Sequence, residues 1–392
     1  MAAFSGADPS TDLTLGAPPS LGGMTSPTSS SALVVGATGI AGQALSQLLV
    51  DAGWEVLGLS RRGVSDVEGV VPVQADLTDA EGLREALAGH RPTHVFVTAW
   101  ARQDSEAENI RVNGAMVRDV LEAVRPCGTV RHVALLTGLK HYLGPFEAYG
   151  EGDVPDTPFH EDEDRLPYPN FYYAQEDELF AAAERDGFTW SVHRAHTIIG
   201  YALGNAMNMG QTLAAQAAVC REQGRPFVFP GSETQWNGVT DMTDAGLLAE
   251  QLHWAATTPA AANTAFNVAN GDVFRWRWMW PRLAERLGVE PEGYDARPRP
   301  LEEQMDDAAP VWAELAEREQ LREQDLDRVA SWWHTDGDLG RDLECLTDMT
   351  RSRAAGFVGY RSTLQCFLDL FDRLEEDRVV PAPGATSLSS RA

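Results

Sequence analysis

One lysine stands among the 31 basic residues of this 392-residue chain, Lys140, within Leu136-Thr137-Gly138-Leu139-Lys140-His141-Tyr142. The other 30 are arginine. Lys140 is either a surface survivor of that bias or an ammonium whose compact point charge no guanidinium can replace. Its place after an expected strand, where α/β folds carry their chemistry, favours the second reading. Further on, Asn170-Phe171-Tyr172-Tyr173 opens an expected helix, so one tyrosine can face a ligand while its neighbour points elsewhere. A tyrosine hydroxyl can donate to an oxygen that gains negative charge, and a nearby ammonium can stabilise that state. The third feature is Gly36-Ala37-Thr38-Gly39-Ile40-Ala41-Gly42, directly after the β-branched run Ala32–Val35. Spaced glycines there allow a tight turn, close approach of backbone to a pyrophosphate, and a helix N-terminus facing the anion.

These groups need a frame that brings them to one edge. From Ser31 the chain alternates short apolar runs with helix-length segments, the pattern of βαβ units. Strands are expected at Ala32–Val35, Trp54–Leu59, Val70–Gln74, His94–Thr98, His132–Leu136 and Thr189–His193. Helices are expected at Ile40–Ala52, Glu106–Val124 and Phe171–Glu184, with a Pro/Gly/acid-rich loop over 144–170. The fold class is α/β, a Rossmann-type doubly wound parallel sheet with a smaller, mostly helical C-terminal cap. Its expected divisions are a disordered tail at 1–30, a dinucleotide-binding core at 31–200, a substrate cap at 201–379 whose segments near 225–275 return to the core, and a flexible tail at 380–392.

The carboxyl ends of these strands supply the candidate ligand contacts. Gly36, Thr38, Gly39, Ile40 and Gly42 form the phosphate loop. After the second strand come Ser60, Arg61 and Arg62, where an NAD-specific site would carry an acid for the ribose 2′-hydroxyl. Two guanidiniums match a 2′-phosphate instead, which favours NADPH, although solvated loop arginines would look the same in sequence. Asp76 and Leu77 either border the adenine or begin a helix cap. Thr98, Ala99, Thr137 and Gly138 end central strands, and Trp100 either lines a substrate cavity or packs.

Charge narrows the partners. With 58 acidic against 31 basic residues the net charge is −27, which disfavours phosphate backbones and acidic membranes. Cys127, Cys220, Cys345 and Cys366 form no CxxC pair, so a reducing cytoplasm is expected rather than a disulfide framework. No stretch is apolar for about 18 residues, as a membrane span requires. No metal motif is present, so no metal is expected.

Taken together, GATGIAG at 36–42, SRR at 60–62, VTAWA at 97–101, TGLKHYLGPFE at 137–147, NFYYAQEDELF at 170–180, WSVHR at 190–194 and AFNVANGDVFRW at 265–276 resemble the progesterone 5β-reductase and iridoid synthase-like family, a divergent branch of extended short-chain dehydrogenases. The usual YxxxK of short-chain dehydrogenases is absent: Glu176 follows Tyr172 by four residues and Asp177 follows Tyr173. The resemblance implies NADPH-dependent reduction of the activated C=C bond of an enone or enal, with Tyr172 and Lys140 as the catalytic pair and Tyr173 as fallback or substrate wall. It also implies Trp100, Phe357 and Tyr360 as substrate-pocket walls, and Ala195 and Ile198 beside the nicotinamide. Ala195-His196 departs from the family's Pro-Gly, and Ala202–Met209 is also unlike the plant members. The expected partner is a small-molecule enone or enal, with no nucleic acid, no membrane, and a homodimer left open. Two rivals remain at this stage: a carbonyl reductase or epimerase-type enzyme, and a non-catalytic NADP sensor.

Overall fold

The computed structural model describes residues 30–144, 156–205 and 207–384. The expected N-terminal tail up to residue 29, residues 145–155 of the expected loop and residues 385–392 of the expected C-terminal tail lie outside the described residues. Aliphatic runs buried on both faces belong in a parallel sheet covered by helices on each side. The chain forms β1 (Ser31–Val35), α1 (Ile40–Asp51), β2 (Glu55–Ser60), β3 (Val70–Gln74), α2 (Ala80–Leu87), β4 (His94–Val97), α3 (Glu106–Val124), β5 (His132–Gly138), α4 (Lys140–Leu143), α5 (Phe171–Asp186) and β6 (Thr189–Ala195). With the strand Thr264–Val268 these make a seven-stranded sheet in which that strand is followed, in order, by β6, β5, β4, β1, β2 and β3. Every neighbouring pair in it is parallel.

Strand order reverses between β1 and β4, whose register pairs Leu33 with Val95 and Val35 with Val97. That reversal leaves a crevice at the carboxyl ends of the strands, flanked by the loops after β1 and β4. One face of the sheet buries Leu83, Val117, Val120, Leu121 and Leu179 from α2, α3 and α5. The other buries Leu45 and Leu49 of α1 against Leu248 and Leu252 of the helix Ala245–Thr257. A separate core holds the C-terminal half, where Trp276, Trp280, Trp312, Phe227, Phe229, Phe367 and Phe371 are fully buried.

Two differences from the sequence reading matter for the site. β5 runs to Gly138, so Lys140 begins a one-turn helix straight after the strand. Helix α2 begins at Ala80, three residues later than a cap at Asp76 would place it; Asp79 caps it by accepting from Glu81 and Gly82 N–H groups. Order also continues past residue 380: Val380 is buried, and Arg221 Nη2 donates to the Pro381 carbonyl at 2.9 Å.

Four histidines are buried as neutral rings. Burial, with Arg131 nearby, pushes His94 down to about 4, and burial alone dominates for His132 at about 3 and His193 at about 4. Burial and the Arg194 charge hold His141 at about 4. The His132 ring spans Thr189 Oγ1 at 2.9 Å and Ser191 Oγ at 3.0 Å, and His193 Nε2 meets the same Ser191 Oγ at 2.9 Å. An unfolded histidine titrates near about 6.5, so below that pH the unfolded chain gains protons that the folded chain refuses. The stability these rings contribute is present above pH ~6.5 and is lost as pH falls toward about 4, at up to about 1.4 kcal/mol per pH unit per ring. Urea midpoints measured from pH 7 to 4.5 will fall, and His132→Gln will fall less steeply than the parent; a flat parent profile would contradict the assignment.

Candidate active site

A cleft of about 2520 Å³ opens at the crevice, lined from one end by Gly36, Thr38, Gly39, Ile40, Ser60, Arg61, Arg62, Asp76 and Leu77, and from the other by Lys140 and Tyr172. At the first end, Gly36 takes φ +87°, and a Cβ there would lie 2.8 Å from Ala99 Cβ. Gly39 precedes α1 and offers no side-chain cap, so the first amides of the helix are left for a ligand. Gly42 does not line the cleft. Its role is steric: a Cβ there would sit 2.1 Å from the Gly36 carbonyl oxygen, so only glycine lets the helix close onto the loop.

Arg61 and Arg62 are exposed at the tip of β2. The Arg61 carbonyl is held by Gln74 Nε2 at 3.3 Å. Asp76 is not a helix cap: its Oδ1 accepts from Thr78 N at 2.9 Å and Oγ1 at 2.7 Å, bonds that pull its pKa down. Thr98 lines the cleft, but its hydroxyl donates to the Val35 carbonyl at 2.8 Å and so ties β4 to β1. Trp100 stacks on Phe171 with centroids 5.3 Å apart. The loop it sits in is held by two buried asparagines of α3, Asn113 on Ala101 N and Asn109 on Gln103 N, both at 2.7 Å.

At the other end two side chains from the start of α5 hold that helix to α4. Asn170 caps α5, accepting from Tyr172 N at 3.0 Å and Tyr173 N at 3.2 Å, while its amide donates to the Lys140 carbonyl at 3.3 Å. Tyr173 does not line the cleft. Its hydroxyl donates to the His141 carbonyl at 2.8 Å and accepts from Leu166 N at 3.0 Å. The pocket-wall and fallback roles expected of Tyr173 are therefore corrected to a structural one.

Tyr172 points the other way, toward Gly138, where a Cβ would lie 3.2 Å from the tyrosine oxygen and 3.1 Å from the Ala195 carbonyl. Burial, with the Glu106 carboxylate adding to it, drives the Tyr172 pKa well above the ordinary phenol value. The hydroxyl thus stays protonated and can donate. Lys140 is only 5% exposed, and its Nζ lies 5.8 Å from the Phe171 ring centroid. Glu176 and Asp177, one turn along α5, are both taken up by Arg165, at 2.8 and 2.7 Å.

Thr137, Gly138, Ala99, Ala195 and Ile198 also line the cleft. Phe357 and Tyr360 do not. Phe357 packs on Trp254 at 5.4 Å, and Tyr360 is 57% exposed beside Gly271, so both expected pocket walls are corrected. Sequence reasoning missed the C-terminal wall: Leu203, Asn205, Met207, Trp332, Trp333, His334, Asp338 and Arg341 all face the cleft. The tandem Trp332-Trp333 inside a charged stretch was the readable signal. At the Ala195-His196 departure, His196 Nδ1 lies 2.9 Å from Asp241 Oδ1 and its Nε2 3.0 Å from Arg341 Nη1. Among the described residues, no group of three or more His, Cys, Asp or Glu side chains is placed to hold a metal ion.

Comparison with known proteins gives three findings. Residues 32–269 match the NAD dependent epimerase/dehydratase family. The chain is 40% identical over 363 residues to a 3-oxo-Δ(4,5)-steroid 5β-reductase of Arabidopsis thaliana, covering 89% of this chain and 93% of that protein. It is also 40% identical over 364 residues to an (S)-8-oxocitronellyl enol synthase of Camptotheca acuminata, with the same coverage of 89% and 93%. Among solved structures, a UDP-glucose 4-epimerase of Thermotoga maritima with UDP-glucose superposes with TM-score 0.62 at 17% identity, covering 88% of this chain and 99% of that one. A Thermus thermophilus UDP-glucose 4-epimerase complexed with NAD gives 0.56 at 21% identity, covering 87% and 99%. These structures share the fold.

The two neighbouring tyrosines should separate cleanly. Tyr173→Phe strips one bond from the His141 carbonyl and one from Leu166 N, leaving buried groups unmet at a cost of about 1–3 kcal/mol. Tyr172→Phe breaks no hydrogen bond among the described residues and should change stability by less than about 0.5 kcal/mol. Urea denaturation of both variants checks this; equal losses would contradict the two orientations.

Proposed function

The chain belongs to the NAD dependent epimerase/dehydratase family, within it to the branch of steroid 5β-reductases and 8-oxocitronellyl enol synthases, and from that premise we propose that it is an NADPH-dependent reductase of the activated C=C bond of an enone or enal. The observation that carries the reading is that Tyr172, half-buried and held protonated by its raised pKa, and the buried Lys140 line the same cleft as the glycine loop and the arginine pair.

The residues fit a phosphorylated dinucleotide. The Gly36–Gly39 turn leaves room that a Cβ would fill, the uncapped start of α1 faces the cleft, and Arg61 and Arg62 stand where a 2′-phosphate would lie. Thr137, Gly138, Ala195 and Ile198 would border the nicotinamide. When bound, the cofactor would supply hydride to the β-carbon of the substrate, and the enolate would then take a proton from solvent at the α-carbon to give the saturated carbonyl compound. Tyr172 donates a hydrogen bond to the carbonyl oxygen, where enolate charge collects, and its raised pKa keeps the proton on the phenol as that charge develops. Lys140 adds positive charge on the same wall. Trp100 and the Trp332-Trp333 pair exclude water and receive the apolar body of the substrate. Residues 31–200 serve the cofactor and 201–379 the substrate, with the segments near 225–275 returning to the core. A cytoplasmic location is supported by four unpaired cysteines, and no helix among the described residues is long and apolar enough to cross a membrane.

Tyr172→Phe should lower turnover of an enone by about 10²- to 10³-fold, the effect of losing one such donor, with little change in NADPH binding. Products made with deuterium-labelled NADPH should carry the label on the β-carbon of a saturated carbonyl compound. Label on the carbinol carbon, with the alkene intact, would replace this reading with carbonyl reduction.

A further inference from the structure

A third guanidinium reaches the arginine pair from the far end of the chain. Arg328 ends the short 3-10 turn Leu326–Arg328 and lines the cleft with Arg61 and Arg62. Arg328 and Arg62 meet around Gly204, which takes φ +71°. A Cβ there would lie 3.4 Å from Arg328 Nη2 and 3.9 Å from Arg62 Nη1. Arg328 is aimed rather than loose, because Glu323 Oε2 holds its Nε at 2.7 Å while Nη2 is the atom turned to Gly204. Arg62 has no ion-pair partner among the described residues. Two like charges that approach one backbone point repel each other, and an anion set between them reverses the sign of the interaction.

We propose that Arg328 completes a three-guanidinium phosphomonoester site, Arg61–Arg62–Arg328, that grips the 2′-phosphate of the adenosine. The inference rests on the NADPH reading above and adds a residue from outside the dinucleotide-binding half. The helix Trp332–Leu339, which carries Trp332, Trp333 and His334 into the cleft, begins four residues after Arg328. A 2′-phosphate therefore fastens the start of the substrate wall to the tip of β2, and an unphosphorylated cofactor leaves that fastening unmade.

The test is calorimetric binding of adenosine 2′,5′-bisphosphate and adenosine 5′-phosphate to the full chain, ligands that differ only in the 2′-phosphate. Arg328→Gln should raise the Kd of the bisphosphate about tenfold, as expected for one charge-assisted contact partly screened by water, and that of the monophosphate less than about twofold. Arg328→Lys should recover part of the loss. Equal losses for both ligands would put Arg328 on the 5′-phosphate and overturn the proposal, as would unchanged affinities. The double variant Arg61→Ala/Arg62→Ala separates the two readings. If it loses selectivity for the bisphosphate while Arg328→Gln keeps it, only the third guanidinium is wrong; if it keeps selectivity, the 2′-phosphate reading of the pair falls as well.

Discussion

Two backbone carbonyls carry the site. Lys140 O and His141 O belong to α4, a single turn in which the Gly144 N–H returns to Lys140 O at 3.0 Å while His141 O has no backbone donor among the described residues. Side chains from the start of α5 reach both: the Asn170 amide adds a second bond to Lys140 O at 3.3 Å, and the Tyr173 hydroxyl meets His141 O at 2.8 Å. The same Asn170 accepts the first free amides of α5. One short latch thus fixes the lysine turn to the tyrosine helix, and two groups far apart in sequence acquire a common frame.

The latch explains why the lysine can be absent from α5. In a YxxxK helix the spacing of one turn brings the ammonium to the tyrosine. Here that position holds Glu176, buried and paired with Arg165, and the ammonium arrives from the strand side, over the Phe171 ring. The electrostatic outcome is different too. Burial and the Glu106 carboxylate raise the Tyr172 pKa, which suits a neutral donor to an enolate oxygen more than a group that must give up its proton. Steroid 5β-reductases and 8-oxocitronellyl enol synthases are the relatives to which this chain is most usefully compared, and the fold it shares with UDP-glucose 4-epimerases supplies only the frame.

Local patterns were legible in the sequence and long-range closure was not. Val70–Gln74 and Glu106–Val124 form the strand and helix expected from their periodicity, and the glycine loop falls between β1 and α1. Gly42 was legible as a residue type but not as a contact, because its partner is a backbone oxygen six residues earlier that only the folded loop brings within 2.1 Å of a would-be Cβ. Tyr172 and Tyr173 could not be told apart in role by adjacency; the Tyr173 bond to His141, 32 residues away, decides it. Phe357 and Tyr360 were drawn in by resemblance, yet they pack near the helix Ala245–Thr257 and Gly271. The C-terminal wall depends on helices such as Trp332–Leu339, which docks on the helix Leu301–Gln304, whose Leu301 and Glu302 amides Asp336 accepts, and on the distant helix Met209–Gln223, contacts with no short-range signature.

The central claim is that Lys140 and Tyr172 act as a unit although they sit on different elements. A double-mutant cycle on the hydride-transfer rate, measured in single turnovers with Lys140→Met, Tyr172→Phe and the combined variant, tests it directly. Acting as a unit, the pair should lose little more together than Tyr172→Phe loses alone, a coupling of about 1 kcal/mol or more. Losses that simply add would show two independent groups and contradict the account.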